Sequence, residues 1–376
     1  MEKIIIDKLK KTLDKLKNLK PPVIEESNIE SNKEKFAKGI IARDFGINEW
    51  DWPQGIGLYG INKLQKINFL DNNEFFYNWF KNNLNIGLPS KNVNTTAPLL
   101  TLIDLCDKFK EDEFEELCIE WANWLMNELP KTKEGGFQHV TTSLTDRNGI
   151  ILNEEQVWID TLFMMVLFLN KMGIKYNRQD WIEESIYQVS FHIKYLYEKK
   201  NGLFYHGWSF IENNNFGEIF WCRGNSWFTL GIIEFIESCG ERLDEGIKRF
   251  FLMTYKAQVD ALVKLQSEEG GWHTVLNDST SYLEVSGTAG IVAGIYKGLQ
   301  LQILEEKYEV IAKKGLEFIL KNIDEDGTVL NVSGGTGIGM DKEHYKNIII
   351  APMAYGQSLT IVALAEALKH FQKLKI

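Results

Sequence analysis

The sequence predicts an all-α protein, an (α/α)6 barrel with short hairpins at one end, and three observations lead to this prediction. Apolar residues follow a helical period along most of the 376 residues, whereas the alternation typical of strands is scarce. A polar or glycine-containing loop followed by an abruptly apolar helix recurs six times. Amphipathic segments separate these apolar helices, so each repeat has one helix to bury and one that can face water.

The six apolar helices define the inner ring of the predicted barrel. Their openings are QGIGLYGINKL (from 54), NTTAPLLTLIDL (from 94), IDTLFMMVLFL (from 159), RGNSWFTLGIIEFI (from 223), SGTAGIVAGIYKGL (from 286) and YGQSLTIVALAEAL (from 355). The last five openings lie 63–69 residues apart, and such a regular interval indicates a repeated unit. Helices that are apolar on every side must be buried, which places them inside a second ring. An open solenoid is the alternative, but its repeats of about 33–47 residues are shorter.

The amphipathic helices form the predicted outer ring. They are expected at residues 72–84, 112–129, 178–199, 243–266 and 304–322, with a sixth around 28–42. Because no Pro/Ser-rich or low-complexity seam divides the chain, we expect a single barrel domain over residues 28–376. A helical extension over residues 1–27 precedes it, and charges interrupt its only apolar run. We therefore expect the extension to be a solvated amphipathic helix rather than an anchor.

Charged turns that contain glycine recur in front of the inner helices. They are KEGGFQHV (from 133), KNGLFYHGW (from 200), EEGGWHTV (from 268) and DEDGTVLNV (from 324). Glycine allows the positive φ that such turns need, and a short extended piece follows each turn. We expect small hairpins at the end of the barrel where the inner helices begin. Polar residues at those helix openings should therefore face a common pocket.

Composition excludes several classes of function. The formal net charge is −10 and no basic stripe is present, so a nucleic-acid partner is not expected. The four cysteines form no CxxC pair and have no histidine at metal spacing, which predicts reduced thiols and no metal site. The N-terminus lacks the roughly 7–15 apolar residues of a signal peptide, and no stretch approaches the roughly 20 that span a membrane. We therefore expect a cytoplasmic protein without a membrane partner.

Asp160 stands at the opening of one of the most apolar helices, and two interpretations are open. As a helix cap it would accept backbone N–H groups and contribute about 1 kcal/mol. As a catalytic acid it would need a pKa raised by about 3 units, or roughly 4 kcal/mol. Its neighbours Trp158 and Phe163 can supply the desolvation that raises a carboxyl pKa, whereas the helix N-terminus opposes this effect.

Aromatic residues and histidines are concentrated in the same loops. Seven of the eleven tryptophans lie there, namely Trp50, Trp52, Trp158, Trp208, Trp221, Trp227 and Trp272. Each could belong to the core, but their concentration favours walls on which sugar rings stack. His139 and His206 occupy matching positions in two of the hairpin segments, and His273 has a similar place in a third. A lone histidine is usually structural, whereas a matched pair favours polar contacts with a substrate.

Arg223 opens the fourth apolar helix. It would form a surface ion pair with Glu218, or it would clamp an anionic group, which arginine binds through two parallel hydrogen bonds. Asn94 is a candidate substrate contact and also a good helix cap. The SGGTGIG segment (333–339) lacks the strand and helix of a phosphate-binding loop, so we interpret it as a flexible flap.

Eight of these segments, in this order, resemble glycoside hydrolase family 105, the unsaturated rhamnogalacturonyl hydrolases. They are WDWPQGIGLYG, NVNTTAP, GGFQH, QVWIDTLFM, FYHGW, WCRGNSW, SGTAGI and YGQS, and the resemblance extends from about residue 36 to the C-terminus. The family is related to the unsaturated glucuronyl hydrolases of family 88. The resemblance implies an (α/α)6 barrel without a metal or organic cofactor. It also implies a small substrate, an oligosaccharide left by pectin-type lyases that ends in a 4,5-unsaturated uronic acid.

The resemblance also implies roles for individual residues. Asp160 in WID would be the catalytic acid, and the sugar site would be lined by His139, His206, Arg223 and Trp227, with Trp52 and Asn94 at its walls or just behind them. Trp158, one of the tryptophans concentrated in these loops, is a further candidate contact with the substrate. One departure from the family is the longer connection VTTSLTDRNGIILNEE before Asp160, whose tip we expect to influence substrate choice. In the implied reaction the neutral acid protonates C4 of the unsaturated sugar, water adds at C5, and the resulting hemiketal collapses.

Two other functions are compatible with the same sequence. A conventional inverting glycosidase would need a second carboxyl about 6.5–9.5 Å from Asp160, and Asp51, Asp146 and Glu218 are candidates for it. A non-catalytic sugar-binding helical module would use the tryptophans without turnover. An epimerase is a lesser possibility, recognised by interconversion without cleavage.

Overall fold

The computed structural model describes residues 1–20, 45–143 and 146–373, and within them it has the predicted barrel. Six largely buried helices form an inner ring: α2 (Trp52–Lys66), α5 (Leu99–Phe109), α7 (Leu167–Lys175, continuing from a π-helical turn at Leu162–Val166), α9 (Cys222–Cys239), α11 (Val285–Gln300) and α14 (Ala354–Lys373). These are the six apolar helices that the sequence predicts. The short helix α4 (Val93–Thr96) leads into α5. The prediction of an all-α (α/α)6 barrel is confirmed.

The outer ring alternates with the inner one along the chain. Its members are α1 (Glu2–Lys17), α3 (Asn73–Ile86), α6 (Asp112–Asn127), α8 (Gln179–Leu196), α10 (Glu245–Leu265) and α12 (Glu309–Lys321). Five of them agree with the predicted amphipathic segments. The predicted sixth helix around residues 28–42 lies outside the described residues. Helix α1 packs in the outer layer against α14, so it occupies a position that the sequence did not assign to it.

The first helix is joined to the barrel by its apolar face. Ile5, Leu9 and Leu16 are fully buried in the main core. Lys8 donates through Nζ to the carbonyl of Ile323 at 2.6 Å. The expectation of a solvated helix is therefore wrong for this face, because the period of its apolar residues matches a groove on the barrel rather than water. The boundary between residues 1–27 and 28–376 stays a prediction.

Short paired strands lie where the inner helices begin, three pairs as hairpins and one, β3 with β6, joining distant parts of the chain. The paired strands are β1 (Val140–Thr142) with β2 (Ile150–Leu152), β3 (Gln156–Trp158) with β6 (Gly207–Ser209), β4 (Tyr197–Glu198) with β5 (Leu203–Phe204), and β7 (Trp272–His273) with β8 (Leu283–Glu284), all antiparallel. The four charged turns each contain a glycine with φ between 71° and 101°, which a side chain would strain: Gly135, Gly202, Gly270 and Gly327. Among the described helices, none is long and apolar enough to cross a bilayer.

The opposite end of the barrel is lined by paired charges from all six inner helices. They surround a cavity of about 590 Å³. Glu234 of α9 lies at its centre, where it accepts from Lys63 of α2 at 2.6 Å and from Lys297 of α11. All three side chains are at most 12% exposed. Burial raises the pKa of Glu234, but the two lysines outweigh it and hold the pKa well below its ordinary value of 4.5. One carboxylate thus ties together three inner helices.

We predict that Glu234→Gln lowers the free energy of unfolding by about 3–5 kcal/mol, because it leaves two buried ammonium groups without their counter-charge. Denaturant unfolding of both proteins measures the loss. A carboxyl whose pKa is lowered in the folded state contributes stability above its unfolded pKa and loses it as the pH falls. The native protein should therefore lose this contribution below about pH 4.5, whereas the variant should not.

Glu245→Gln serves as the matched control. Its side chain is 85% exposed and pairs with Lys248 at 3.2 Å on the surface, so its removal should leave the unfolding curve unchanged. Equal effects of the two substitutions would contradict the structural role of Glu234.

Candidate active site

Asp160 begins the helical segment that continues through the π-helical turn into α7. Its carboxylate does not cap that segment. Oδ1 accepts a hydrogen bond from Trp227 Nε1 at 3.1 Å, and Oδ2 lies 3.2 Å from His206 Nε2. The side chain is 15% exposed, although Oδ2 itself is buried. The interpretation as a helix cap is wrong. The π-helical turn is a feature that often marks functional sites.

Backbone pairing brings two histidines to the two sides of Asp160. The segment before Asp160 accepts a hydrogen bond from His139 N–H through the carbonyl of Gln156, at 2.9 Å. It then donates from Ile159 N–H to the carbonyl of His206, also at 2.9 Å. The hairpin strands therefore fix the register in which the matched histidines of the sequence meet at one carboxylate.

The pKa of Asp160 is lowered in the free protein. Burial, the largest influence, raises it, but the hydrogen bond and charge interaction with His206, together with His139 and Arg223, outweigh burial. The expectation of a raised pKa is therefore wrong for the protein without substrate. The aromatic surroundings supply the predicted desolvation, whereas the donors that hold the carboxylate favour its charged form.

Both histidines are buried and are held in defined orientations. His139 stacks on Trp158 with ring centroids 4.2 Å apart, and its Nδ1 lies 2.9 Å from Thr161 Oγ1. Burial lowers the pKa of His139 to about 3, so its ring is neutral at physiological pH. Burial also lowers the pKa of His206, and Asp160 offsets this only in part. The two rings therefore act as neutral hydrogen-bonding groups.

The loop tryptophans divide into core residues and residues near the surface. Those that are fully buried are Trp50, Trp221, Trp227 and Trp272. Their interpretation as exposed sugar walls is wrong, because each ring is packed on all sides. Trp227 instead acts through its N–H on Asp160. Trp158 is 9% exposed, and Trp52 and Trp208 are half-buried, so these three can contribute surface to a pocket.

Arg223 is fully buried, so the predicted surface ion pair with Glu218 is wrong. Its guanidinium lies between the rings of Trp221 and Tyr355, with the central carbon 4.5 and 4.7 Å from their centroids. The buried carboxylate of Glu284 lies 3.9 Å from Nη1. A cation stacked between two rings and beside one carboxylate is electrostatically satisfied without a ligand.

The guanidinium also anchors a segment that passes over the site, which we call the strap and define as residues 333–350. Nη1 donates to the carbonyl of Ser333 at 3.1 Å. Nη2 donates to the carbonyl of Gly334 at 2.8 Å and to Thr336 Oγ1 at 3.0 Å. The two terminal nitrogens are thus occupied by the segment interpreted from its sequence as a flexible flap. Only Nε lacks a hydrogen-bond partner among the described residues.

Trp52 and Asn94 lie at the helix openings next to this arrangement. Trp52 stacks on Tyr355 with ring centroids 4.5 Å apart, which extends the stack that holds Arg223. Asn94 is half-buried, but it is not the cap of its helix. Asn92 caps α4, accepting from the backbone N–H of Asn94 at 2.8 Å and of Thr95 at 3.0 Å. Asn94 therefore keeps its side chain available for other contacts.

Sequence reasoning missed two residues of this region. Glu284 caps α11, accepts the N–H of Ser333 at 3.0 Å and faces Arg223. An acidic residue at a helix opening was the signal that singled out Asp160, and it applied to Glu284 as well. Tyr345 on the strap reaches His206 across 139 positions, a distance over which local pattern carries no information.

The candidates for a second catalytic carboxyl have other surroundings. Asp51 is buried and caps α2 by accepting the N–H of Trp52 at 2.7 Å, whereas Asp146 and Glu218 are exposed. Besides burial, the groups that shift the pKa of Asp160 most are two histidines and an arginine. In the described part of the chain no group of three or more His, Cys, Asp or Glu side chains could hold a metal. The expected absence of a metal or cofactor stays a prediction.

Comparison with known proteins identifies this barrel as a glycoside hydrolase. The profile of Glycosyl Hydrolase Family 88 matches residues 29–371. The unsaturated rhamnogalacturonyl hydrolase YesR of Bacillus subtilis is 31% identical over 94% of this chain and 98% of its own. A solved structure from Salmonella enterica, described as a possible member of family GH105, is 34% identical with a TM-score of 0.87 and covers 99% of this chain and 95% of its own.

The chain belongs to glycoside hydrolase family 88 in the broad sense that includes the GH105 enzymes. An unsaturated 3S-rhamnoglycuronyl hydrolase of Alteromonas is 30% identical over 46% of this chain and 42% of its own. The resemblance noted from the eight sequence segments is thereby confirmed.

We predict that Arg223→Ala lowers the free energy of unfolding by about 3–5 kcal/mol, because it leaves Glu284 as a buried charge without its counter-ion and releases the strap. Thermal and denaturant unfolding measure the effect. Arg242→Ala removes an exposed guanidinium that donates to Asn177, and it should leave stability unchanged. A role limited to binding substrate would leave the stability of Arg223→Ala at the native value.

Proposed function

We propose that this protein releases a 4,5-unsaturated uronic acid from the non-reducing end of short oligosaccharides produced by polysaccharide lyases. The observation that carries the proposal is the partly exposed side chain of Asp160, whose carboxylate lies 3.1 Å from Trp227 Nε1 and 3.2 Å from His206 Nε2, and whose pKa is shifted mainly by burial, histidines and an arginine. Ordinary glycosidases need two carboxyls at the scissile bond, whereas hydration of a vinyl ether needs one proton donor. The names of the relatives in Bacillus and Alteromonas support this substrate class.

The reaction begins with transfer of the Asp160 proton to C4 of the unsaturated sugar. The π electrons of the C4=C5 bond form the new C–H bond, and positive charge spreads over C5 and the ring oxygen. Water then adds to C5 and gives a proton to the Asp160 carboxylate, which restores the acid. The hemiketal formed at C5 opens, and the glycosidic bond breaks without attack at C1. General acid catalysis of this kind contributes typically about 10²–10⁴-fold.

Substrate binding can cause Asp160 to take up from solvent the proton that the free protein does not hold. A uronate carboxylate entering the site brings a negative charge close to Asp160. A like charge within about 4–6 Å disfavours the ionised form and raises a carboxyl pKa. Binding also expels water from the exposed part of the Asp160 side chain, and this desolvation raises the pKa as well. Substrate binding and protonation of Asp160 are therefore coupled on this proposal.

The remaining predicted site residues are proposed to hold the sugar. Trp52 and Trp158 provide apolar surface at the pocket, and Asn94 offers a side-chain amide that does not cap its helix. His139 and His206 are neutral and suit hydroxyl groups. Arg223 has only Nε available for a ligand in the described structure, so we propose that it acts on the uronate through its charge more than through a two-bond clamp.

The preferred substrate is proposed to be a disaccharide-sized fragment derived from pectin, acted on in the cytoplasm. The hairpin formed by β1 and β2 ties back to the barrel, because Arg147 donates to the carbonyl of Gly87 at 2.8 Å and Ser90 donates to the carbonyl of Asn148 at 2.6 Å. A hairpin fixed at this rim is suited to contact the second sugar. Assay of pectin-, ulvan- and glycosaminoglycan-derived fragments distinguishes rhamnose from other partners.

We predict that Asp160→Asn lowers turnover by about 10²–10⁴-fold while keeping the fold, because the amide has no acidic proton to give. In heavy water the native enzyme should place deuterium at C4 and abolish the ultraviolet absorbance of the unsaturated ring. Loss of absorbance and mass spectrometry of the product measure both effects. Asp146→Asn, on the exposed hairpin, should behave as the native enzyme.

Three outcomes would contradict this function. Cleavage in heavy water without deuterium at C4, together with turnover of saturated glycosides, would identify a conventional inverting glycosidase. Binding without any turnover would identify a sugar-binding module. Interconversion of the sugar without cleavage would identify an epimerase.

We predict that the alkaline limb of kcat lies at higher pH than the alkaline limb of kcat/KM. The pKa of Asp160 in the free enzyme lies below 3.8, so kcat/KM should fall about tenfold per pH unit as the pH rises above about 5. In the complex, the substrate carboxylate raises that pKa, and kcat should stay level until a higher pH. Steady-state kinetics over a pH series measure both limbs. Coincident limbs would show that the substrate does not change the protonation of Asp160.

A further inference from the structure

Tyr345 contacts His206, which in turn contacts the proposed catalytic acid, Asp160. It lies on α13 (Lys342–Lys346), a short helix in the strap, and its side chain is fully buried. Its Oη is 2.7 Å from His206 Nδ1, and the backbone N–H of Gly339 donates to the same oxygen at 3.2 Å. The other ring nitrogen of His206 faces Asp160 at 3.2 Å. Hydroxyl, imidazole and carboxylate thus form one continuous chain.

The direction of the hydrogen bond follows from the inventory of donors. The Tyr345 oxygen already accepts from Gly339, and in the described part of the chain His206 Nδ1 is the acceptor that the structure offers to its single proton. Tyr345 therefore donates to Nδ1. A neutral imidazole carries one proton, which must then reside on Nε2, where it points at Asp160.

We propose that Tyr345 is a positioning residue whose hydroxyl occupies Nδ1 of His206, keeps that ring neutral and leaves Asp160 as the group that takes up the catalytic proton. Nδ1 is the only position at which the ring could gain a second proton. A hydrogen bond donated to the neutral form of a base disfavours its charged form. Without the hydroxyl, His206 would compete with Asp160 for the proton and form an imidazolium–carboxylate pair.

The hydroxyl is held in place by contacts on the far side of α13. Lys346 donates to Thr280 Oγ1 at 2.9 Å and pairs with Asp278 at 3.0 Å. Tyr282 Oη also donates to the backbone carbonyl of Tyr345, but at 3.4 Å this hydrogen bond is long and weak, and its loss leaves the docking by Lys346 intact. These contacts dock α13 on the loop before β8, and they do not involve the phenol group itself.

The groups that face His206 define how its protonation should respond. Asp160 favours the imidazolium, whereas the cation of Arg223 and the ring of His344 disfavour it. His139 lies on the other side of the carboxylate and is neutral. Burial opposes the imidazolium more strongly than any of these. The Tyr345 hydroxyl is the contact that acts directly at the atom where the second proton would be bound.

The test is nitrogen NMR of protein labelled with ¹⁵N-histidine, comparing the native protein with Tyr345→Phe and Tyr282→Phe. His206 signals are assigned by their loss in His206→Gln. In the native protein we expect a proton on Nε2 and none on Nδ1. In Tyr345→Phe the midpoint of the His206 titration should rise by about one pH unit, as loss of one hydrogen bond predicts. Tyr282→Phe should leave the midpoint unchanged.

Kinetics link this result to Asp160, and this second arm rests on the proposed function. With an unsaturated oligosaccharide, Tyr345→Phe should lower kcat by about tenfold and move its alkaline limb to lower pH, because His206 retains the proton. KM should change little, and Tyr282→Phe should match the native enzyme. A merely structural role would lower activity without moving the limb.

The two arms separate failure of this inference from failure of the proposed function. A proton on Nδ1 in the native protein, or an unchanged midpoint in Tyr345→Phe, overturns the inference whatever the substrate proves to be. A raised midpoint with an unchanged alkaline limb also overturns it. A raised midpoint in a protein that does not hydrate unsaturated sugars supports the role of Tyr345 and rejects the proposed function.

Discussion

The polar contacts that fix the position of the Asp160 carboxylate are the constraint on which the rest of the site depends. These two polar contacts are a hydrogen bond from Trp227 Nε1 of α9 and a 3.2 Å approach of His206 Nε2 from the loop before β6. A carboxylate at a helix opening is normally satisfied by the N–H groups of its own helix. Here a π-helical turn follows and the side chain turns to donors from elsewhere in the chain. The position of one oxygen pair is therefore set by tertiary structure.

The strap supports these contacts through Tyr345, which lies against the far side of the His206 ring. Arg223 and Glu284 form a buried pair that together contact both the backbone and the side chain of Ser333. A buried pair contributes little net stability when desolvation is counted, but it defines the position of whatever both partners bind. In this protein the pair fixes the start of the segment that delivers Tyr345 to His206. The cation and the acid thus belong to one connected structure.

The period of the apolar residues predicted the fold, but it did not predict the direction in which individual side chains point. Apolar helices such as α9 and α11 are recognisable because burial on all sides leaves no polar face. The same criterion could not tell whether Trp227 points at a ligand or into the core. It also missed the packing of α1 against α14. The sequence pattern of an amphipathic helix does not show which surface its apolar face packs against. The matched histidines were recognised because repeated hairpins place equivalent residues in equivalent positions.

The pKa of Asp160 depends on the balance of contacts rather than on any single neighbour. Local composition indicated a dry and aromatic setting, which is correct, but two histidines and a nearby arginine outweigh the effect of burial on the pKa. The interpretation from sequence went wrong because those groups come from distant parts of the chain.

This balance has a consequence for selectivity on the proposed function. A site that keeps its acid ionised until an anion arrives is inactive towards neutral glycosides, which bind without changing the charge near Asp160. A uronate carries its own carboxylate, and the repulsion between like charges favours uptake of a proton at the moment of binding. The positive charge of Arg223 attracts the uronate carboxylate, while its Nη2 remains hydrogen-bonded to the strap. Recognition of the uronate and protonation of Asp160 would then depend on the same electrostatic interaction. No further group would be needed to discriminate against saturated, uncharged sugars.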